Sequence, residues 1–263
     1  MAQNKVTNVG IAGPTGRFGL LVLDALLENH DIKVRALCRN ASKLDSRHTQ
    51  STQLEIIEGD VLDQSILDKF VDGLDVVICA YLGDNDFMLN AQKALIDACE
   101  QAQVPRYLSS DFTFDYTKLE YGEHPGKDPV KAVYKYLKGK QHVQGVHILV
   151  GAFIETFWSG YFQVWQPEEK ALVYWGSGEE VWEFTTYPDS ARYTAAVALD
   201  PSAVGLQRCK HAPEDSLSFP VDDLRLTPKR SSATGRPFLR SHKLLRKHTV
   251  SSRSYNAKAQ STS

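Results

Sequence analysis

The segment Gly10-Ile-Ala-Gly13-Pro-Thr-Gly16-Arg-Phe-Gly19 gives the clearest indication of how this chain folds. It lies between an apolar segment typical of a β-strand, Val6 to Ala12, and one with helical periodicity, Phe18 to Glu28. A second strand-like segment, Ile32 to Leu37, completes a βαβ unit. In such a unit the glycine-rich turn brings backbone N–H groups close to a diphosphate, and the helix presents its positive end to the same anion.

Each glycine of the turn has its own expected role. Gly13 makes the tight turn, Gly16 allows the close approach of a ligand, and Gly19 provides the contact between helix and strand. Glycines at this spacing occur in many loops, so the flanking strand and helix carry the prediction. The turn residues predicted to bind a dinucleotide are Gly13, Pro14, Thr15, Gly16, Arg17, Phe18 and Gly19.

The residues after the second strand indicate which dinucleotide binds. An acid at this point usually binds the ribose 2′-hydroxyl of NAD(H), but this strand ends Cys38-Arg39-Asn40-Ala41-Ser42-Lys43. The cations Arg39 and Lys43 can both meet an adenosine 2′-phosphate, which predicts NADP(H) as the cofactor, with Arg39, Asn40 and Lys43 in its site. The alternative is a solvated pair of charges on a loop.

The composition is that of an ordinary soluble protein. The 263 residues carry a formal charge of −2 and are 42% hydrophobic, which indicates neither a nucleic acid nor a membrane as a general partner. No apolar run approaches a membrane span and no leader precedes the first strand, so we expect a cytoplasmic protein. The cysteines are widely spaced and no His-x-x-x-His pair occurs, so we expect neither disulfides nor a metal site.

The rest of the first half alternates strands with helices. Strands are predicted at Gln53 to Glu58, Leu74 to Ala80 and Val104 to Ser110. Helices are predicted at Gln64 to Phe70, capped by Asp63, and at Phe87 to Gln103. This alternation predicts an α/β fold with a doubly wound parallel sheet, the NAD(P)-binding Rossmann fold.

Ligands of such sheets bind beyond the carboxyl ends of the strands. Gly13, Arg39, Asp60, Tyr81 and Ser110 all follow strand ends, so five loops are expected to meet at one crevice. For Gly59-Asp60 a simple turn is the alternative. The cofactor-site residues predicted after the third and fourth strands are Asp60, Val61, Cys79, Ala80 and Tyr81.

The chain resembles the NmrA-like and isoflavone-reductase-like families of atypical short-chain dehydrogenases. Two segments depart from the family pattern: Ser110-Asp111-Phe112-Thr113 stands in place of Ser-Glu-Phe-Gly, and Val143-Gln-Gly-Val146 in place of Gly-[Ile/Leu]-Pro-aromatic-Thr. The segments that carry the resemblance are Gly13 to Gly19, Arg39 to Lys43, Gly59-Asp60, Val104 to Phe112, and Lys131 to Glu155.

The resemblance implies an active-site lysine at the start of a helix, which corresponds to Lys131 in this chain. It also implies that a Phe-x-Glu-like turn, Phe153-Ile-Glu155, lies at the cofactor. The Lys131 ammonium could bind the nicotinamide ribose hydroxyls and stabilise an oxyanion, directly or through a water. The alternative is an ordinary surface lysine on a helix.

Other candidate groups for proton transfer are weaker. The Ser110 hydroxyl could bond the substrate or the nicotinamide amide, or simply its own loop backbone. Tyr134 with Lys138, and Tyr136 with Lys140, match the Tyr-x-x-x-Lys spacing, but the two pairs use incompatible helix faces and do not fit the register that ends at Phe153. Candidates for substrate contact are Tyr116, Tyr121 and His124.

All the tryptophans lie between Trp158 and Trp182. Such a concentration suits a pocket for a flat, aromatic or polyketide-like substrate, or else packing against the rim of the sheet. We expect Ala171 to Tyr174 and Val181 to Thr185 to form a hairpin, and Asp189 or Ser190 to cap the next helix.

Three regions are predicted. Residues 1–155 form the NADP-binding domain, residues 156–205 a small substrate lobe interleaved with the end of the sheet, and residues 206–263 a basic, weakly ordered tail. The tail is open to several interpretations: it binds an anionic surface, acts as a tether, or reflects an altered reading frame. If it leaves the lobe incomplete, the mouth of the site is open.

The leading functional prediction is an NADPH-dependent oxidoreductase that reduces a carbonyl or enone of a small aromatic or polyketide-like metabolite, in secondary metabolism. The alternative is a non-catalytic, NADP(H)-sensing regulator that contacts another protein. Lys131 favours the enzyme, because a sensor needs no proton donor, whereas the unusual tail favours the sensor. Nucleic-acid binding would depend on the tail alone, and the near-neutral core argues against it.

Overall fold

Seven parallel strands form the central sheet. A computed structural model describes residues 5–174, 181–209 and 225–228. The strands are β1 (Asn8–Ala12), β2 (Lys33–Cys38), β3 (Leu54–Glu58), β4 (Val76–Cys79), β5 (Arg106–Leu108), β6 (Gln144–Leu149), β7 (Ala152–Phe153), β8 (Trp165–Gln166), β9 (Ala171–Tyr174), β10 (Phe184–Thr185), β11 (Gly205–Arg208) and β12 (Arg225–Pro228). The helices are α1 (Arg17–Leu27), α2 (Ser46–Thr49), α3 (Gln64–Val71), α4 (Asn85–Gln101), α5 (Asp128–Lys138), α6 (Ile154–Phe157) and α7 (Tyr187–Leu199).

The strands of this sheet lie in the order β11-β6-β5-β4-β1-β2-β3. From the adjacent central strands β1 and β4, the chain adds β2 and β3 on one side and β5, β6 and β11 on the other. A doubly wound sheet places its ligand crevice at such a switch point. β4 is buried along its whole length, as its continuous apolar sequence predicts for a central parallel strand. The predicted fold class is therefore confirmed.

Helices cover both faces of the sheet. Helices α1 and α7 share an apolar core with one face, which includes Ile11, Leu26 and Ala195. On the opposite face α3, α4 and α5 contribute side chains such as Phe70 and Leu95 to a second core. The apolar periodicity of each helix thus matches the face that it buries.

Buried Arg106 fastens α7 to the sheet from the start of β5. Its guanidinium donates to the carbonyl oxygens of Ala198 and Asp200 at 2.8 and 2.6 Å, and to that of Val197 at 3.3 Å. These are carbonyls of the last turn of the helix, which lack partners within it. A cation is also favoured there by the helix dipole.

The predicted hairpin in the aromatic region is wrong. β9 pairs with β8 and β12, whereas β10 pairs with β7 in a different sheet. The backbone around Gly151 explains this pairing, because Gly151 has a φ of +70° and a Cβ there would lie 2.3 Å from the Glu183 carbonyl oxygen. That same oxygen accepts a hydrogen bond from the Ala152 amide. The predicted connecting turn, Gly176-Ser-Gly178, lies outside the described residues.

The cap of α7 is Thr186, not Asp189 or Ser190 as predicted. The Thr186 hydroxyl oxygen accepts from the Asp189 amide at 3.1 Å and donates to the Asp189 carboxylate at 2.7 Å. Ser190 is fully buried inside the helix. The helix begins earlier because Pro188 is tolerated in its first turn, where its missing N–H costs no hydrogen bond.

β11 continues the sheet past the predicted boundary at Gly205 and pairs with β6. Together with α7, it brings the end of the predicted substrate lobe into the central sandwich. Of the predicted tail, the structure describes residues 206–209 and 225–228 only. Its weak order therefore stays a prediction, as do the three proposed regions.

Within the described ranges, no helix is both long enough and apolar enough to cross a membrane.

Replacing Gly19 by alanine should destabilise the protein by about 2 kcal/mol, because overpacking a close contact outweighs the gain in helix propensity. A Cβ at this position would lie 2.2 Å from the Gly13 carbonyl oxygen. The measurement is thermal unfolding, with Gly160→Ala as control, since among the described residues nothing lies within 4 Å of a Cβ built at Gly160. Equal melting temperatures for the two variants would contradict the packing argument.

Candidate functional site

The glycine turn lies at the switch point of the sheet. Gly13 has a φ of +88°, and a Cβ on it would lie 2.8 Å from the Ala80 carbonyl oxygen. Gly16 instead has open space, the nearest atom to its Cβ position being 3.6 Å away. The expected tight turn at Gly13 and the helix contact at Gly19 are therefore confirmed, and the surroundings of Gly16 leave room for a ligand.

The start of α1 is free to receive an anion. Gly16 is its N-cap residue, and no described side chain caps the helix. The first turn carries Arg17 but no acid. Pro14 is buried, Thr15 and Phe18 are half-buried, and Gly16 and Arg17 are exposed. Uncapped N–H groups at the positive end of an 11-residue helix are the feature that binds a diphosphate.

Arg39 and Lys43 lie just beyond the end of β2, and both are exposed. Within the described residues neither cation has an ion-pair partner. The amide of Gly13 donates to the Leu37 carbonyl at 3.0 Å, so the glycine turn and the end of β2 are joined directly. The two predicted parts of a dinucleotide site thus share one edge of the sheet.

Asn40 has a structural partner. Its side-chain oxygen accepts from the Ser42 amide at 2.9 Å and from the Ser42 hydroxyl at 2.7 Å, which caps a 3₁₀ turn over Ala41–Lys43. Sequence reasoning missed Glu58, at the end of β3, whose carboxylate accepts from the Ala41 amide at 2.6 Å. Pairing of Cys38 with Glu58 between adjacent strands brings this acid to the loop.

The residues after β3 and β4 line the same edge. Asp60 is exposed, and its carboxylate accepts a hydrogen bond from the Leu62 amide at 2.9 Å. This bond matches the alternative prediction of a simple turn at Gly59-Asp60. Val61 is buried. Cys79 is fully buried, which raises the pKa of its thiol to about 12. It is therefore an inert core residue rather than a reactive one.

Tyr81 is the least satisfied group at this edge. Its hydroxyl is buried and has no hydrogen-bond partner among the described residues. Its ring lies against the turn, with Cδ1 3.2 Å from the Cβ position of Gly13. A buried polar atom without a partner is uncommon in proteins, and a ligand group is one way to satisfy it. Together with the open space at Gly16, this fits a bound dinucleotide.

Ser110 uses its hydroxyl within the protein. The hydroxyl donates to the Tyr81 carbonyl at 2.7 Å, and the Ser110 amide donates to the side-chain oxygen of buried Gln92 at 2.9 Å. The same Gln92 oxygen also accepts from the Ser109 hydroxyl at 3.2 Å. The described contacts therefore match the alternative of a hydroxyl bonded to backbone. A catalytic role for Ser110 stays a prediction.

Beside Ser110 lies a buried polar cluster that the sequence did not suggest. One oxygen of the Asp111 carboxylate accepts from the Tyr116 hydroxyl and lies 2.7 Å from His147 Nδ1. The Tyr116 and His147 atoms are 3.2 Å apart. Burial, and secondly the charge of Asp111, raise the pKa of Tyr116, which keeps it a neutral donor. The cluster fixes the loop after β5 to β6.

Phe112, next in this loop, has a φ of +35°, in the left-handed region that only glycine occupies freely. Its ring contacts Phe18 of the glycine turn, with centroids 4.5 Å apart. Phe18 in turn lies 5.4 Å from Phe153 and 6.1 Å from Tyr187. An aromatic cluster therefore connects the start of α1 with β7 and α7.

Phe153 and Glu155 were predicted from the family resemblance to lie at the cofactor, and both contact Tyr187. Phe153 stacks on the Tyr187 ring at 4.1 Å. The Glu155 carboxylate accepts from the Tyr187 amide at 2.9 and 3.1 Å, which satisfies an N–H at the start of α7. Arg17 lies over the Tyr187 ring, with its guanidinium carbon 4.6 Å from the ring centroid.

Lys131 lies on the second turn of α5 and is half-buried. Its Nζ is 4.9 Å from the ring centroid of Tyr121, a cation–π contact with a predicted substrate-contact residue. Lys127, at the start of the same helix, is a second lysine that sequence reasoning missed. Burial lowers its pKa, and its Nζ lies 5.6 Å from the Phe114 ring, which also contacts His124.

The two Tyr-x-x-x-Lys pairs have structural partners. Tyr136 donates to the Asp97 carboxylate at 2.7 Å, and Lys140 lies 2.5 Å from the same carboxylate, which joins α5 to α4. Lys138 lies 4.5 Å from the Tyr134 centroid, and that ring packs against His147. Lys140 thus shares the Asp97 carboxylate with Tyr136, to which it also bonds, whereas Lys138 lies over the face of the Tyr134 ring.

Phe157 and several other aromatic residues of the lobe form a half-exposed cluster, from which Trp165 is separate in the described ring contacts. Phe157 contacts Phe184 at 4.7 Å and Trp182 at 5.3 Å, and Trp182 stacks on Phe184 at 6.0 Å. Trp158, Trp165 and Trp182 are each about two-fifths exposed, at 41%, 39% and 38%. The cluster thus packs internally and presents aromatic surface outward, while Trp175 lies outside the described residues.

Neither metal nor thiol chemistry is indicated by the described parts of the chain. They contain no group of three or more His, Cys, Asp or Glu side chains placed to hold a metal ion. Cys38, Cys79, Cys99 and Cys209 are all free thiols. Burial raises the pKa of each of these four thiols.

Comparison with known proteins agrees with this geometry. Residues 13–145 match the family model described as NAD(P)H-binding. This range extends from the glycine turn to the second residue of β6, and it includes Arg39, Ser110 and Lys131.

Two curated plant proteins are similar over most of the chain. Isoflavone reductase from Medicago sativa is 25% identical over 244 residues, which cover 82% of this chain and 72% of the relative. A bifunctional pinoresinol-lariciresinol reductase from Linum usitatissimum is 24% identical over 224 residues, 79% of this chain and 70% of the relative. Among solved structures, that of AtPrR2 with NADP⁺ and (+)-pinoresinol superposes with a TM-score of 0.64 at 22% identity, covering 78% of this chain and 70% of that one.

Truncation of Asp111 to alanine should cost about 3 kcal/mol of stability, because it leaves His147 and Tyr116 buried without their shared acceptor. Tyr116→Phe is the matched control, since it removes one donor and keeps the Asp111–His147 pair, at a cost of about 1 kcal/mol. Urea unfolding measures both. Equal losses for the two variants would show that the carboxylate does not organise the cluster.

Proposed function

Because the chain belongs to the NAD(P)H-binding family and its relatives are reductases, it is an oxidoreductase, and we propose that it transfers hydride from NADPH to a carbonyl or enone. The proposed substrate is a small aromatic or polyketide-like metabolite of secondary metabolism. The observation that carries the proposal is the meeting, at one sheet edge, of an uncapped helix start with two exposed cations.

The preference for NADPH is supported by charge. Arg39 and Lys43 are exposed beyond β2, where an NAD(H) site would present an acid to the ribose. Among the described residues, the carboxylate that bonds to this loop is that of Glu58, and it accepts a backbone hydrogen bond. We therefore assign both cations to the 2′-phosphate of NADPH, because arginine binds such a group in a bidentate manner.

The aromatic character of the substrate is supported by the lobe. The cluster of Phe157, Phe162, Trp182 and Phe184 presents flat apolar surface beyond β7, and Trp182 is 38% exposed. Flat aromatic ligands stack on such surfaces with their polar groups directed to solvent or to the cofactor. The relatives named for isoflavone and pinoresinol reduction are consistent with a substrate of this class.

When bound, NADPH supplies the hydride. The role that we assign to Lys131 is to hold its ammonium at the substrate oxygen, so that negative charge developing there is stabilised and can be protonated. The Tyr121 ring contacts this ammonium, with Nζ 4.9 Å from the ring centroid. Ser110 and Gln92 hold the neighbouring strand-end loops in register with the Tyr81 backbone.

Arg39→Ala should raise the Kd for NADPH about tenfold and leave the Kd for NADH within about twofold, because only the 2′-phosphate loses a partner. Both Kd values are measured by titrating the protein into NADPH or NADH and following the fluorescence of the reduced nicotinamide. Lys33→Ala is the matched control, an exposed cation at the opposite end of the same strand. If wild-type protein binds NADPH no more tightly than NADH, the coenzyme assignment is wrong.

The activity itself is tested by following NADPH oxidation against a panel of aromatic carbonyls and enones. On any substrate found, Lys131→Ala should lower kcat about 100-fold with little change in NADPH affinity, because the group acts on developing charge. Lys135→Ala, one turn further along α5 and exposed, should leave kcat unchanged. An unchanged kcat in Lys131→Ala would make that lysine structural, and NADPH binding without turnover of any panel member would favour a sensor.

A further inference from the structure

Glu58 holds the turn that carries the two cations. Its Oε2 lies 2.6 Å from the Ala41 amide, in the middle of the segment between Arg39 and Lys43. The Gly59 amide donates to the Cys38 carbonyl at 3.0 Å, so the backbones of β2 and β3 remain joined up to this point. The carboxylate therefore extends the pairing of the two strands by one side-chain hydrogen bond.

The turn has little else to fix its position relative to the sheet. Its other hydrogen bonds are local: the Asn40 amide donates to the Cys38 thiol at the end of β2, the Asn40 side chain accepts from Ser42, and the Leu44 amide donates to the Ala41 carbonyl at 2.9 Å. These bonds set the shape of the turn, but they do not anchor it to β3. Among the described contacts, the bond from Glu58 is the side-chain link that does so.

The segment after the turn is held separately. Buried His48 of α2 lies 2.7 Å from the Asp24 carboxylate of α1, and Arg47 lies 2.9 Å from the same group. Leu44 is buried at 6% exposure. Loss of the Glu58 bond should therefore release residues 39–43 alone, and leave the rest of the fold intact.

The charge of Glu58 has two opposite possible uses. Free, a carboxylate here would repel a 2′-phosphate and could accept a hydrogen bond from a ribose 2′-hydroxyl, as acids do in NAD(H) sites. Bonded to a backbone N–H, it keeps its negative charge directed at the Ala41 amide rather than at the ligand. The geometry favours the second use.

We propose that Glu58 is a positioning residue for coenzyme preference: by holding the Ala41 amide, it fixes Arg39 and Lys43 where both meet the 2′-phosphate of NADPH. This inference rests on the proposed NADPH site. It assigns the discrimination between NADPH and NADH to the reach of an acid on β3, in addition to the cations on the loop.

Three substitutions separate reach from charge. Glu58→Asp keeps the charge but is one methylene shorter, so it cannot reach the Ala41 amide from the same backbone. Glu58→Gln keeps the reach and an acceptor oxygen but loses the charge. Glu58→Ala loses both. The matched control is Glu55→Ala, an exposed acid on the same strand that pairs with Arg35 at 2.6 Å and not with the turn.

Titration of full-length wild-type and variant proteins with NADPH and with NADH provides the test. The Kd for NADPH should rise about tenfold in Glu58→Asp, whose freed carboxylate also repels the phosphate, and about fivefold in Glu58→Ala, and it should stay within about twofold of wild type in Glu58→Gln. The Kd for NADH should stay within about twofold in all three. Wild-type affinity in Glu58→Asp, weakened NADPH binding in Glu58→Gln, or parallel changes for NADH would each overturn the proposal.

Different results would overturn the coenzyme assignment and the role of Glu58. If wild-type protein shows no preference for NADPH, the proposed coenzyme is wrong and the role of Glu58 falls with it. If Arg39→Ala abolishes the preference while Glu58→Asp retains it, the coenzyme assignment stands and the positioning role alone is wrong.

Discussion

Space between the glycine turn and the first turn of α1 is the constraint on which the rest of the site depends. The Gly13 carbonyl lies so close to Gly19 that no Cβ fits between them. This contact sets where α1 begins, and with it the direction of its free N–H groups. Since the Gly13 amide also bonds to β2 and its Cα faces the Ala80 carbonyl, one compact turn aligns three strand ends.

Local pattern was sufficient to predict the nucleotide-binding half. β1 to β5 and their helices lie within a few residues of the predicted segments, because continuous apolar runs and helical periodicity report burial directly. Asp63 was correctly identified as a cap, since its side chain accepts from the Ser65 amide two residues away. Signals of this kind involve neighbours in the chain, so a single sequence contains them.

Features formed between distant segments were missed or predicted wrongly. The pairing of β10 with β7 depends on the contact of Glu183 with Gly151, and the bond from Glu58 to Ala41 depends on strand register. The cluster of Asp111 and His147 joins the loop after β5 to strand β6. None of these contacts leaves a periodicity or a spacing in the sequence, which is why local reasoning did not find them.

Several predicted ligand residues also have structural partners. Asn40 caps a turn, Ser110 bonds to a backbone carbonyl, and Glu155 satisfies the start of α7. Backbone N–H and C=O groups at the ends of strands and helices have no partner within their own element, so nearby polar side chains bond to them. Polarity at a strand end therefore identifies the edge that faces a ligand, but it does not separate residues that touch the ligand from those that shape the edge.

The position of β11 has implications for how the chain is made. β11 follows its partner strand β6 by about 60 residues in the sequence. α7 packs beside α1 although most of the described sequence lies between these two helices. As the polypeptide leaves the ribosome, the glycine turn emerges before α7, so one face of its sheet stays uncovered until α7 has been synthesised. During that interval the nascent chain exposes apolar surface to which a chaperone could bind.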